Sequence, residues 1–122
     1  MTKVLIVDDE PDLLLMLRVS LEAVGFETGL AADGDVALQR MRAERFDVVL
    51  LDVMMPVLDG WSVLEALKDD ADAPPVLVVS AKTAMQDRER ALALGAAAYI
   101  TKPFDLDALV AKLHEVLGVE KA

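Results

Sequence analysis

Apolar runs and helical patterns alternate along the whole chain. Val4-Leu5-Ile6-Val7, Val48-Val49-Leu50-Leu51 and Val76-Leu77-Val78-Val79 are uninterrupted apolar stretches rich in β-branched residues. Such stretches predict strands buried on both faces, as the strands of a parallel sheet are. A fourth segment, Ala97-Ala98-Tyr99-Ile100, reads as a further strand, and Phe26 to Leu30 as a weaker one, poorly patterned and interrupted by Gly29. Between them lie helical patterns. Pro11 suits a first helical turn, and Leu14, Leu17, Leu21 and Val24 mark one face of a helix that Gly25 stops. A second helix is expected over roughly 33–44 with Asp33 as its N-cap, and a third over about 60–69 with Trp61 packed at its start. Thr83 to Gln86 has capping-box spacing and should open a fourth. That helix is unusual, because Gln86 to Arg90 is polar all round and only its alanine-rich second half is able to pack, so it is expected to be weakly held. A fifth runs from Asp105 to Leu117, with Leu106, Leu109, Val110, Leu113, Val116 and Leu117 inward and Gly118 at its end. The alternation predicts one α/β domain, residues 1–122, built of βα units around a parallel sheet with helices on both faces.

The strand ends carry the chemistry. Val4–Val7 runs into Asp8, Asp9 and Glu10, the central strand into Asp52, and the next into Ser80; the last continues into Thr101, Lys102 and Pro103. After Asp52, Pro56 and Asp59-Gly60 force a loop. Open α/β sheets bind ligands outside the carboxyl ends of their strands, so acids, a hydroxyl and an ammonium are expected in one crevice. Taken singly, each has an ordinary structural role: Asp52 as a turn residue, Asp8 and Asp9 as first-turn acids, Lys102 as a surface charge, Tyr99 as a core aromatic. Their joint occurrence, in order and each at a strand end, is far more specific.

In these residues the chain resembles the response-regulator receiver domains of two-component signalling. The resemblance spans the whole chain and rests on Asp8-Asp9, Asp52, Ser80, Tyr99 and Lys102-Pro103. It implies the flavodoxin-like (βα)5 fold, a doubly wound five-stranded parallel sheet in the order 2-1-3-4-5. It implies Asp52 as phosphoacceptor, Lys102 and Ser80 as groups that contact the phosphoryl oxygens, and Ser80 with Tyr99 as the switch pair. It also implies a Mg2+ or Mn2+ ion held by Asp8, Asp9, Asp52 and the backbone carbonyl of Met54, and a cis peptide before Pro103. The phosphoryl donor would be a histidine kinase or phosphotransfer protein, and the output a downstream protein or domain reached through the fourth helix, fifth strand and fifth helix, either separate or beyond this chain. The domain would be a signalling switch, not an enzyme in the ordinary sense.

Composition narrows the alternatives. A net charge of −10 argues against a nucleic-acid surface. The longest uncharged run, Ala91 to Thr101, is far short of the ~20 residues of a membrane helix. No signal peptide opens the chain, and with no cysteine there is no disulfide framework, so a cytoplasmic location is expected. Glycines are scattered without a P-loop or dinucleotide fingerprint. An aspartate-nucleophile phosphohydrolase of the haloacid-dehalogenase type would require a second acid two residues after Asp52, where Met54 stands. His114 is read as an exposed helix residue. Ala96, Ala97 and Ala98, with Lys112 the one cation of the fifth helix, leave few charge pairs for a symmetric dimer, so a monomer is expected before activation.

Overall fold

The computed structural model describes residues 2–52, 60–70, 72–80, 85–102 and 104–118. Met54, Pro103 and Thr83, and with them the expected carbonyl ligand, the cis peptide and the capping box, lie outside the described residues.

Five strands form a single parallel sheet: β1 (Lys3–Val7), β2 (Glu27–Ala31), β3 (Val48–Asp52), β4 (Val76–Ser80) and β5 (Ala98–Thr101). Their order is β2-β1-β3-β4-β5, as the resemblance implied. Five helices connect and follow them: α1 (Pro11–Ala23), α2 (Gly34–Ala43), α3 (Gly60–Leu67), α4 (Met85–Ala93) and α5 (Leu106–Leu117). Strand alternation divides the core into two layers. Val4, Ile6, Val48, Leu50, Leu77 and Val79 pack with Leu14, Leu17 and Leu21 of α1 and Leu109 and Leu113 of α5. Leu5, Val7, Val49, Leu51, Val76 and Val78 pack on the other face with Ala37 of α2, Trp61, Val63 and Leu64 of α3, and Ala91 of α4. The three central strands are therefore apolar at successive positions because both their faces are covered.

Local chemistry sets the boundaries. Pro11 opens α1 as expected. Asp33 accepts a hydrogen bond from the Val36 amide and caps α2, and Asp105 does the same for α5 through Ala108. Gly118 takes φ 70°, the left-handed conformation that terminates helices. Gly29 has a different reason. A Cβ there would lie 2.9 Å from Phe46 Cε1, so the ring of Phe46 occupies the space a side chain would need. That ring is in turn covered by Lys3 and Arg40, both tied to Glu44 at 2.8 Å. Their hydrogen bonds, that of Lys3 first, hold the Glu44 carboxyl below its ordinary pKa.

Several expectations need correction. β2 lies one residue later than the pattern suggested, because Phe26 turns into the core while Ala31 completes the pairing with Val7. Helices α2 and α3 end at Ala43 and Leu67, short of the expected 44 and 69. Val24 is 51% exposed, since α1 stops at Ala23 and Val24 is already its cap. Leu106 is exposed rather than inward, being the first residue of α5. His114 is half-buried, not exposed: its ring lies 6.0 Å from that of Phe26, and its Nδ1 has no hydrogen-bond partner among the described residues. Of the three alanines before Tyr99, Ala96 is buried and Ala98 half-buried, leaving Ala97 exposed.

Candidate functional site

In a sheet ordered β2-β1-β3-β4-β5, the chain leaves β1 toward one edge and leaves β3 toward the other. The crevice at this reversal opens at the carboxyl ends of β1 and β3. Asp8 follows β1 and Asp52 ends β3, so connectivity alone brings these two carboxyls to one place. Both are nearly inaccessible, at 3% and 5% exposure. The exposed carboxyl of Asp9 completes a cluster in which one oxygen from each of Asp8, Asp9 and Asp52 lies within 4.8 Å of the others. Asp8 is held from behind. Its Oδ1 accepts a hydrogen bond from the Glu10 amide at 3.0 Å, a local turn that orients the carboxyl at the mouth of α1.

Lys102 reaches this cluster from two strands away. Its backbone amide donates to the Ser80 carbonyl at 2.8 Å, extending the β4–β5 ladder beyond Thr101. Its Nζ donates to Asp8 Oδ2 at 3.0 Å and to Asp52 Oδ2 at 3.1 Å. Burial works against the ammonium's charge, but the hydrogen bonds and charges of Asp8 and Asp52 outweigh it and hold the Lys102 pKa above the ordinary lysine value. Among the described residues one cation thus faces three acids, which leaves an excess of negative charge on hard oxygen donors. That donor set suits a small divalent cation with part of its hydration shell, Mg2+ above all.

Ser80 ends β4 and is fully buried, one residue beyond the Val79 that pairs with Asp52. By strand alternation Ser80 and Tyr99 share the face covered by α3 and α4, whereas Asp52 belongs to the face of α1 and α5. Tyr99 is buried with Val78, Ala91 and Ala96, because its position on β5 faces α4.

The structure therefore gathers Asp8, Asp9, Asp52 and Lys102 at one point, with Ser80 at the end of the neighbouring strand β4 and Tyr99 within the core layer on the opposite face. Sequence reasoning overlooked the outer face of α1. Leu15, Met16 and Val19 are 57%, 52% and 61% exposed and form an apolar stripe on the helix that begins at the acid cluster. The signal was present: Leu13 to Leu17 is a continuous apolar run, more than one helical face is able to bury.

Comparison with known proteins agrees with this geometry. The family description "Response regulator receiver domain" matches residues 4–114. PrrA, a transcriptional regulatory protein of Mycobacterium tuberculosis, is 44% identical over 94% of this chain and 49% of its own length. IrlR, a transcriptional activator of Burkholderia pseudomallei, is 42% identical over 94% of this chain and 50% of its own. The chain thus spans about half the length of these relatives. Among solved structures, the chemotaxis protein CheY4 of Vibrio cholerae superposes with a TM-score of 0.90 at 34% identity, covering 95% of this chain and 98% of that one. The response regulator TrrA of Thermotoga maritima, solved in complex with Mg2+ and BeF, superposes with a TM-score of 0.85 at 28% identity, covering 95% of this chain and 99% of that one. No described helix is long and apolar enough to cross a membrane. With its fold, strand-end acids and lysine all accounted for, the chain belongs to the receiver-domain family of two-component response regulators.

Proposed function

We propose that this receiver domain works as a phosphorylation-dependent switch with Asp52 as its acceptor. The observation that carries the reading is the contact of Lys102 Nζ with both Asp8 and Asp52 at the sheet's reversal point, beside Asp9. An Asp52 oxygen attacks the phosphorus of a phosphohistidine or small acyl phosphate. The new O–P bond forms as the bond to the leaving group breaks, and the departing imidazole or carboxylate keeps the electron pair. This chemistry requires alignment and charge neutralisation more than covalent assistance. Lys102, already oriented by Asp8, neutralises a phosphoryl oxygen, and the Ser80 hydroxyl donates to another. Asp8, Asp9 and Asp52 would hold Mg2+ or Mn2+, with the Met54 carbonyl, and the ion would supply further positive charge to the transferring group. A protein donor, a histidine kinase or phosphotransfer protein, has to cover the carboxyl edge of the sheet. The apolar stripe of Leu15, Met16 and Val19 beside that edge gives it a surface on which to dock.

Output would pass through the face of α4, β5 and α5 to a downstream protein or domain in the cytoplasm, with no direct contact to nucleic acid or membrane. Since Tyr99 already lies inward, Ser80 would act on α4, the helix that follows it in the chain, rather than by admitting Tyr99 from solvent. The test is incubation with acetyl phosphate and Mg2+, read by intact mass and an acyl-phosphate stability assay. One phosphoryl group, labile to alkali and to hydroxylamine, is expected on the wild type and none on Asp52→Asn. Labelling of Asp52→Asn at the wild-type rate overturns the assignment.

A further inference from the structure

Helix α4 is attached to the rest of the fold in an unexpected way. The guanidinium carbon of Arg90 lies 4.2 Å from the centre of the Trp61 ring, close enough for a cation–π stack. Trp61 is the second residue of α3 and is buried, whereas Arg90 is otherwise exposed. Among the described residues Arg90 forms no ion pair, so no carboxylate draws the guanidinium off the ring. The rest of α4 offers little anchorage. Gln86, Arg88, Glu89, Leu92 and Ala93 are exposed and Asp87 half-buried, which leaves Ala91, a methyl group, as its fully buried side chain among those described. The stack also spans a functional gap. It joins the first turn of the helix that follows Asp52 to the helix that follows Ser80.

We propose that Arg90 is a latch: its stack on Trp61 holds α4 against α3, and any displacement of α4 has to break it. Resting on the phosphorylation reading, the latch then sets how readily occupancy of Asp52 is transmitted to α4. Breaking a stack of this kind corresponds to a factor of about five in an equilibrium. If a ligand at Asp52 favours displaced α4, deleting the latch raises its apparent affinity by up to the same factor.

Two measurements test this, with Arg88→Gln as a control that removes the same charge from the same helix without touching Trp61. The first uses the metal-free protein with no phosphodonor. In Arg90→Gln the amides of α4 should exchange hydrogen about five-fold faster, while those of β1 and β3 keep wild-type protection. Acrylamide should also quench Trp61, the single tryptophan of the chain, more strongly. Arg90→Lys should fall between, and Arg88→Gln should match the wild type. Unchanged exchange in Arg90→Gln, or an equal effect in Arg88→Gln, overturns the latch. The second titrates beryllofluoride with Mg2+, where tighter binding by several-fold is expected for Arg90→Gln. Equal affinity of Arg90→Gln and wild type overturns the coupling. A wild type that does not respond to beryllofluoride overturns the phosphorylation reading and the coupling with it, while the exchange measurement still decides the latch.

Discussion

Replacing Lys102 by methionine should destabilise the fold far more than neutralising one of the acids it contacts. Lys102 Nζ lies 3.0 Å from Asp8 Oδ2 and 3.1 Å from Asp52 Oδ2, and the three acids of the cluster lie within 4.8 Å of one another. At an effective dielectric constant of about 20, opposite charges about 3 Å apart attract by about 5 kcal/mol, and like charges about 5 Å apart repel by about 3 kcal/mol. Lys102→Met deletes both attractions and leaves every repulsion. Recovered ammonium hydration offsets part of the loss. Removing one partner of a buried pair costs about 3–5 kcal/mol, and the 19% exposure of this side chain favours the lower end, about 3 kcal/mol. Asp52→Asn deletes one attraction but also relieves the repulsion from Asp8 and part of that from exposed Asp9, so its net effect should stay within about 1 kcal/mol. Urea unfolding at pH 7 in a chelator, followed by Trp61 emission and far-ultraviolet circular dichroism, gives both values. The lysine pKa is raised on folding, so its contribution is complete below the ordinary lysine pKa of about 10.4 and fades as pH climbs through the folded value. The gap between wild type and Lys102→Met should therefore hold across neutral pH and close only in strong alkali. Magnesium should restore part of the loss, because it draws on the same carboxylates. Equal losses in the two variants would falsify the view that Lys102 is the counter-charge of this crevice.

Three further outcomes are expected. Asp9→Ala should weaken Mg2+ binding by removing an exposed ligand while leaving the Lys102 contacts intact; calorimetric titration reads this, and unchanged affinity removes Asp9 from the ligand set. Gly29→Ala should cost about 1–3 kcal/mol in urea unfolding, because the new methyl meets a Phe46 ring that Lys3 and Arg40 prevent from receding. The Glu44 pKa is lowered on folding, so its contribution is present above the ordinary glutamate pKa of about 4.3 and lost as pH falls through the folded value. Glu44→Gln should accordingly be less stable than wild type at pH 7 and equal to it once both are titrated below that window, as thermal unfolding across pH will show.

Read alone, the sequence determined the number, type and succession of the elements. Runs such as Val48 to Leu51 carry their own periodicity, and Pro11, Asp33, Asp105 and Gly118 mark ends through backbone chemistry that acts within a few residues. It also showed which residues stand at strand ends, and so which chemistry was available. The sheet order came only with the family resemblance, since crossovers of similar length permit several orders. Tertiary structure decided what depends on partners distant in the chain. The pairing of Lys102 with Asp8 and Asp52 joins residues 94 and 50 positions apart, and no local pattern encodes that distance. The inward setting of Tyr99 and the half-burial of His114 follow from which helix covers which face. The exposed stripe on α1 arises because a helix packed on one side of a sheet buries only one of its two apolar faces. The Arg90–Trp61 stack lay beyond any sequence signal, because a polar helix looks the same in sequence whether its arginine faces water or the ring of a neighbouring helix.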